Sequence, residues 1–140
     1  MAISTGAIRG EIDRIDAQGY LLSIPVDLAA LGNVDIQTDL IVGHKFALIG
    51  KPQFVVTEVG VGSTKTITFV VDIGATATTG GTVVVTTALT ATLGAVIPAA
   101  AAFSALNTGS ATDTISIRGS SATAFTSGKG VILLRIQSVA

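Results

Sequence analysis

Residues 73–112 contain no charged side chain. Forty consecutive uncharged residues need cover from lipid, from a neighbouring chain or from the rest of their own fold. The core of the stretch, GGTVVVTTALTATLGAVIPAAAAFSALNTG at residues 80–109, is long enough to cross a bilayer, which takes about 20 mostly apolar residues. Three features oppose a span. Threonines 82, 86, 87, 90 and 92 and Pro98 interrupt it, no basic or aromatic anchors flank it, and Val83, Val84 and Val85 suit a strand better than a helix. The stretch therefore reads as a Gly80–Gly81 turn, a strand over residues 82–87, a loop over 93–98 and a small-residue segment over 99–106. Alanine is the best helix former, so one or two helical turns are expected in that last segment, stopped by Asn107 and Gly109. Its small side chains suit close backbone approach, and an oligomer or an attached partner is the natural cover.

The rest of the composition points to a folded domain. The chain has 140 residues, 49% of them hydrophobic and 12% charged. That is enough for one core and too little charge for disorder. The net charge of −1 offers no basic face to nucleic acid and no polybasic run to anionic lipid. The signs are nonetheless segregated. Residues 1–40 hold six acids (Glu11, Asp13, Asp16, Asp27, Asp35, Asp39) against Arg9 and Arg14, a net −4. The remainder holds six cations (Lys45, Lys51, Lys65, Arg118, Lys129, Arg135) against Glu58, Asp72 and Asp113, a net +3. The split suggests an acidic first segment lying on a basic surface, its own or a neighbour's, although scattered acids are also what ordinary solvated surface carries. With no cysteine there is no disulfide framework and no thiolate chemistry. The N-terminus, MAISTGAIRGEID, lacks the continuous apolar core of a secretory signal.

Most of the chain has a period of two. Tyr20, Leu22, Ile24 and Val26 alternate with Leu21, Ser23, Pro25 and Asp27, and Pro25 places this strand at a sheet edge because it cannot donate to a ladder. Val34, Ile36, Leu40 and Val42, then Phe46 and Leu48, continue the pattern. A hairpin is expected where residues 54–59 and 64–73 flank Gly60, Gly62 and Ser63. Ile67, Phe69 and Val71 share one face there, and Thr66, Thr68 and Val70 the other. Further strands are expected over residues 114–118 and 131–139, the latter with Ile132, Leu134 and Ile136 on one face. Short strands punctuated by Gly, Ser, Thr and Asn argue for an all-β, single-domain antiparallel sandwich or barrel with at most one short helix. Residues 1–30 are read as an N-terminal arm or hairpin and 31–140 as the β-sandwich. Within the first part, Ile8, Ile12 and Ile15 fall at helical spacing, whereas Gly10 and the IDAQGYL turn favour a β-hairpin.

No motif assembles a catalytic constellation. GVGSTKT at residues 60–66 lacks the spacing of a phosphate loop, and SGKG at 127–130 leads into a strand rather than a helix. His44 is the only histidine, so a serine nucleophile has one candidate base and a transition metal would need scattered carboxylates. Glu11 and Asp13 share a strand face if residues 7–15 are extended, yet carboxylate pairs on acidic surfaces usually bind nothing. A non-enzyme without cofactor or metal is expected.

The run KTITFVVDIGATATTGGTVVVTTALTATLGAVIPAAAAFSALNTGSATDTISIRGSSATAFTSGKGVILLRIQSV resembles small virion proteins of tailed bacteriophages, the head decoration or cement proteins and related structural components. The resemblance covers residues 64–139. It rests on a strand ending at Gly74, the TGG turn at 79–81, LGAV at 93–96, the small-residue stretch at 99–109, the TISI strand at 114–117 and the FTSGKG turn at 125–130. It implies a β-sandwich, with the jelly roll as one form, fixed to the outside of a phage head and clamping neighbouring subunits. It also implies a major capsid protein as partner, a homo-oligomer (trimer or dimer), no nucleic acid or membrane, and synthesis in the host bacterial cytoplasm before placement on the capsid exterior. On this reading Ile3, Ile8, Ile12, Ile15 and Tyr20 in the first segment, with Val96, Ile97 and Phe103 in the charge-free stretch, are the candidate capsid or subunit contacts. A tail, fibre or host-recognition module is the alternative, although one Tyr and no Trp equip it poorly. A membrane-associated protein is a third reading, motivated by residues 80–109 alone.

Overall fold

Period-two alternation extends the described residues into ten strands. The computed structural model describes residues 20–30, 35–120 and 125–139. The strands are β1 (Tyr20–Asp27), β2 (Asp35–Ile41), β3 (Phe46–Val61), β4 (Thr66–Ile73), β5 (Thr76–Ala77), β6 (Val83–Thr86), β7 (Val96–Pro98), β8 (Thr108–Gly109), β9 (Thr114–Ser120) and β10 (Ser127–Ser138). Among the described residues the helical content is one 3-10 turn, Leu28–Ala30.

The strands form two antiparallel five-stranded sheets. Sheet A has the order β1-β10-β3, with the short strands β7 and β8 sharing the far side of β3. Sheet B has the order β2-β9-β4, with β6 and β5 sharing the far side of β4. The pairings β1·β10, β2·β9, β3·β7/β8 and β4·β5/β6 are nested one inside the next. They describe one long antiparallel ribbon folded back on itself. Wrapping that ribbon brings β10 beside β3 and β9 beside β4. An antiparallel ribbon wound into two sheets in this way is a jelly roll. The fold is thus the expected all-β sandwich, in its jelly-roll form. β1 is an edge strand, as Pro25 implied, and the described part of the first thirty residues, Tyr20 to Ala30, is integral to sheet A through its register with β10.

The core lies between the sheets. Sheet A contributes Ile24 and Val26, Phe46, Leu48, Phe54 and Val56, and Ile132, Leu134 and Ile136. Sheet B contributes Ile67, Phe69, Val71 and Ile73 from β4, Val83 and Val85 from β6, and Ile115 and Ile117 from β9. Phe54 and Phe69 stack across the interlayer with ring centroids 5.8 Å apart and planes at 10°. Burial of each large aliphatic or aromatic side chain contributes about 1.5–3 kcal/mol.

Four expectations are corrected. Residues 54–59 and 64–73 do not form a hairpin, because β3 belongs to sheet A and β4 to sheet B. The Gly60–Lys65 connection is an arch between layers, and at its sheet B end Lys65 N–H donates to Thr87 Oγ1 at 2.9 Å and Thr87 N–H to the Lys65 carbonyl at 3.1 Å, next to the Thr66–Thr86 pair. Phe46 and Leu48 and the expected strand over residues 54–59 are parts of the single sixteen-residue β3. Residues 96–98 of the expected loop form β7. The alanine segment is not helical. Its backbone is committed elsewhere: Ala99 N–H donates to the Pro52 carbonyl at 2.8 Å and Phe103 N–H to that of Gly50 at 3.0 Å. On its other side, Gly81 N–H donates to Ala101 O at 3.0 Å, Ser104 N–H to Thr79 O at 2.9 Å and Thr79 N–H to Ala105 O at 2.8 Å.

The alanines and the TGG turn therefore explain each other. Gly80 and Gly81 sit at φ +79° and +67°. A Cβ on Gly81 would fall 2.2 Å from the Phe103 ring, and one on Gly80 2.1 Å from the Ala102 carbonyl oxygen. Two backbones approach this closely only where side chains are small or absent. Their contact ties the edge of sheet B to the edge of sheet A and seals that flank of the sandwich.

Candidate functional site

Once the ribbon is wrapped, the uncharged stretch occupies one flank of the molecule. Its strands β5 and β6 are the outer column of sheet B, and β7 and β8 that of sheet A. Its exposed residues include Val84 (44%), Leu89 (48%), Leu93 (64%), Val96 (53%) and Leu106 (60%). Sheet edges are ordinarily protected from pairing with other chains by charged side chains, proline or irregular geometry. This flank has Pro98 and its short strands, but not one charge over residues 73–112. A surface with those properties can meet a copy of itself without like-charge repulsion.

The proposed contact residues scatter. Val96 points outward on β7, whereas Ile97, the next residue, is 6% exposed in the core, and Phe103 is 8% exposed beneath Gly81. Ile97 and Phe103 therefore hold the flank together from inside, and Val96 with Leu93 and Leu106 forms its surface. Tyr20 is half-buried at the start of β1. Its ring meets His44 edge-on at 6.4 Å. Ile3, Ile8, Ile12 and Ile15 lie outside the described residues, as do Glu11 and Asp13 and the choice between helix and hairpin over residues 5–16. Leu89, Leu93 and Leu106 were missed by sequence reasoning. The signal for them was their place in turn segments, each large apolar residue flanked only by small or polar side chains.

The chemistry-bearing groups are engaged in local contacts. His44 Nδ1–H donates to the Lys45 carbonyl at 2.8 Å, which leaves Nε2 to accept from the Tyr20 hydroxyl at 3.4 Å. Arg118 Nε donates to Asp72 Oδ2 at 2.7 Å and its terminal nitrogen to Oδ1 at 3.4 Å, bridging β9 and β4 on the outer face of sheet B. Lys129 lies 3.9 Å from Glu58. Asp113 Oδ2 accepts from Ser110 N–H at 2.8 Å and closes the turn before β9. Thr90 is fully buried, and its hydroxyl reaches the carbonyls of Thr86 and Thr87 at 3.0 and 3.1 Å. Among the described residues no three His, Cys, Asp or Glu side chains gather as a metal site would require, and no helix is long and apolar enough to cross a membrane. Residues 80–109 pass through β6, β7 and β8 rather than one continuous helix.

The outer faces of the two sheets differ. Sheet B presents Thr66, Thr68, Thr114 and Ser116 around the Arg118–Asp72 pair, with Ile41, Val70 and Val84 among them. Sheet A presents mixed rows: Leu21 opposite Arg135 and Ile49, Ser23 opposite Leu133, Gln53 and Pro98, Pro25 opposite Val131, Val55 and Val96, and Asp27 opposite Lys129 and Glu58. Comparison of the chain with protein-family models, curated proteins and solved structures returns no match.

Proposed function

We propose that this chain is a structural virion protein that binds the outer surface of a phage capsid and stabilises it by bridging capsid subunits. The observation that carries the reading is the sealed, exposed and charge-free flank built from β5–β8, which suits a contact between copies of the chain. The resemblance over residues 64–139 supplies the setting. On this reading the flank joins two or three copies into a closed oligomer, and the N-terminal segment, with its four isoleucines, reaches the major capsid protein. Several weak contacts made together by one oligomer raise overall binding by orders of magnitude. Jelly rolls occur in viral coats, lectins and cupins alike, so the fold alone does not select the role.

Mass spectrometry of purified virions tests the proposal. The protein should be found on the head, in a copy number that scales with the major capsid protein. Absence from the particle, or confinement to the tail, overturns it. The alternative, a tail, fibre or host-recognition module, draws on the same symmetry argument, and labelling the protein's position on the particle separates the two.

A further inference from the structure

We infer that Leu106 is the knob of a two-fold contact between copies of this chain, seated in the crease beside Gly74 and Ala75 of the other copy. The inference rests on the reading of the flank as a copy-to-copy surface, and it names the residue and the hollow that make the contact.

Among the described residues, two positions that bear a side chain have positive φ, Thr64 at +53° and Leu106 at +55°. That region is strained for any residue with a Cβ, and a bulky side chain is rarely found there. Leu106 is also 60% exposed, so burial in its own fold does little to offset the strain. Its backbone is held from both sides. Before it, the Ala105 carbonyl accepts from Thr79 N–H at 2.8 Å at the edge of sheet B. After it, the Asn107 carbonyl accepts from Leu48 N–H at 2.8 Å, and the Asn107 amide donates to the Leu48 carbonyl at 2.7 Å, in sheet A. Leu106 is thus the single residue in which the chain passes from one sheet to the other, and the left-handed turn is fixed by its neighbours. Glycine or asparagine meets that demand with less strain. A leucine held there, strained and in water, has its use outside the monomer.

Leu106 forms one wall of an open crease of about 360 Å³, lined further by Ile73, Gly74, Ala75, Thr76 and Thr108, with Asp113 as its one charged group. The turn from β4 to β5 leaves the hollow bare. Gly74, Ala75 and Thr76 are exposed, and a Cβ on Gly74 would meet no atom within 4 Å. Asp113 Oδ2 already accepts from Ser110 N–H at 2.8 Å, and Lys45 lines the adjoining hollow with Asp113. This corner therefore has no net charge with which to select an ionic partner. A knob beside a hollow on one surface is self-complementary. A two-fold axis passing between them seats each Leu106 in the other copy's crease, which is the isologous form of contact. Asp113 lies on the crease side of that axis, so the rotation carries it away from its own counterpart. The rest of the flank, uncharged over residues 73–112, closes around the pair without like-charge repulsion.

Sedimentation equilibrium of the full-length chain, paired with thermal unfolding, tests this. Leu106→Gly and Leu106→Asn should each raise the dissociation constant of the dimer at least about ten-fold. The Tm of the monomer, read on dilute samples so that association does not contribute, should hold or rise by up to about 5 °C. Ala75→Trp fills the crease from an exposed turn and should weaken the dimer to a similar degree. Mixed in equal amounts, Leu106→Gly and Ala75→Trp should associate more tightly than either alone, because one knob then meets one open crease. A lower monomer Tm in both Leu106 variants overturns the proposal, since the leucine would then serve its own fold. Unchanged dimerisation in those variants overturns it too, as does a mixture no tighter than its parts or a wild type that stays monomeric. Weakening by Leu93→Lys/Val96→Lys with no effect at Leu106 would overturn this knob and leave the flank contact standing. Presence on the virion is decided separately, by the mass spectrum of the particle.

Discussion

Gly81 carries more of the fold than its size suggests. Its φ of +67° is costly for any residue with a Cβ, and the space that atom would need is filled by the Phe103 ring. Gly81→Ala is expected to destabilise by at least about 2 kcal/mol, from backbone strain and overpacking together. Thermal unfolding should register it as a drop in Tm of roughly 10 °C. Phe54→Ala removes one half of the interlayer stack with Phe69 and should cost about 3–5 kcal/mol in denaturant titration. The Arg118–Asp72 pair predicts the opposite. Its arginine side chain is 37% exposed, so a double-mutant cycle should return a coupling of about 1 kcal/mol or less. That ion pair is thus expected to matter less to stability than a methyl group's worth of room under Gly81.

At the level of elements, the charge-free flank should separate folding from association. Leu93→Lys/Val96→Lys places two cations on exposed positions and touches no core residue, so the far-UV spectrum and Tm should hold. Self-association, measured by light scattering after size exclusion, should weaken, and an unchanged assembly would remove the flank from the contact. Strands with one buried face were legible because the alternation is a direct image of burial: Ile67, Phe69, Val71 and Ile73 are buried, and Thr66, Thr68, Val70 and Asp72 are not. The arch between β3 and β4 was illegible because a glycine-rich turn looks the same whether its flanking strands pair with each other or enter different sheets. What decides is the distant partner, β10 for β3 and β9 for β4. The alanine segment was misread for a related reason. Helix propensity is worth tenths of a kcal/mol per residue, and it yields to carbonyls at Gly50 and Pro52 that need donors. Of the candidate contacts, Val96 and Ile97 show the limit: a short strand puts neighbours on opposite faces, and which one faces out depends on register with Phe54 and Val55.

For the whole molecule, the nested pairing makes nearly every ladder a long-range one, and the outermost joins β1 to β10. Chains dominated by such non-local pairing fold on the millisecond-to-second scale. Stopped-flow refolding should fall there, with no sub-millisecond phase accounting for the native signal. β10 also lies between β1 and β3 at the centre of sheet A.

That closure has a consequence for how the molecule is handled. Tyr20 pairs with Ile136, so the first and last described residues meet at one corner, on the side away from β7 and β8. A peptide linker joining residues 20 and 139, with new termini opened in the turn at Ser110–Asp113, would give a circular permutant whose ends emerge on a different side. Cargo fused at residues 20 and 139 and cargo fused to the permuted ends would then project in different directions from one and the same body, which makes this fold a two-way mount.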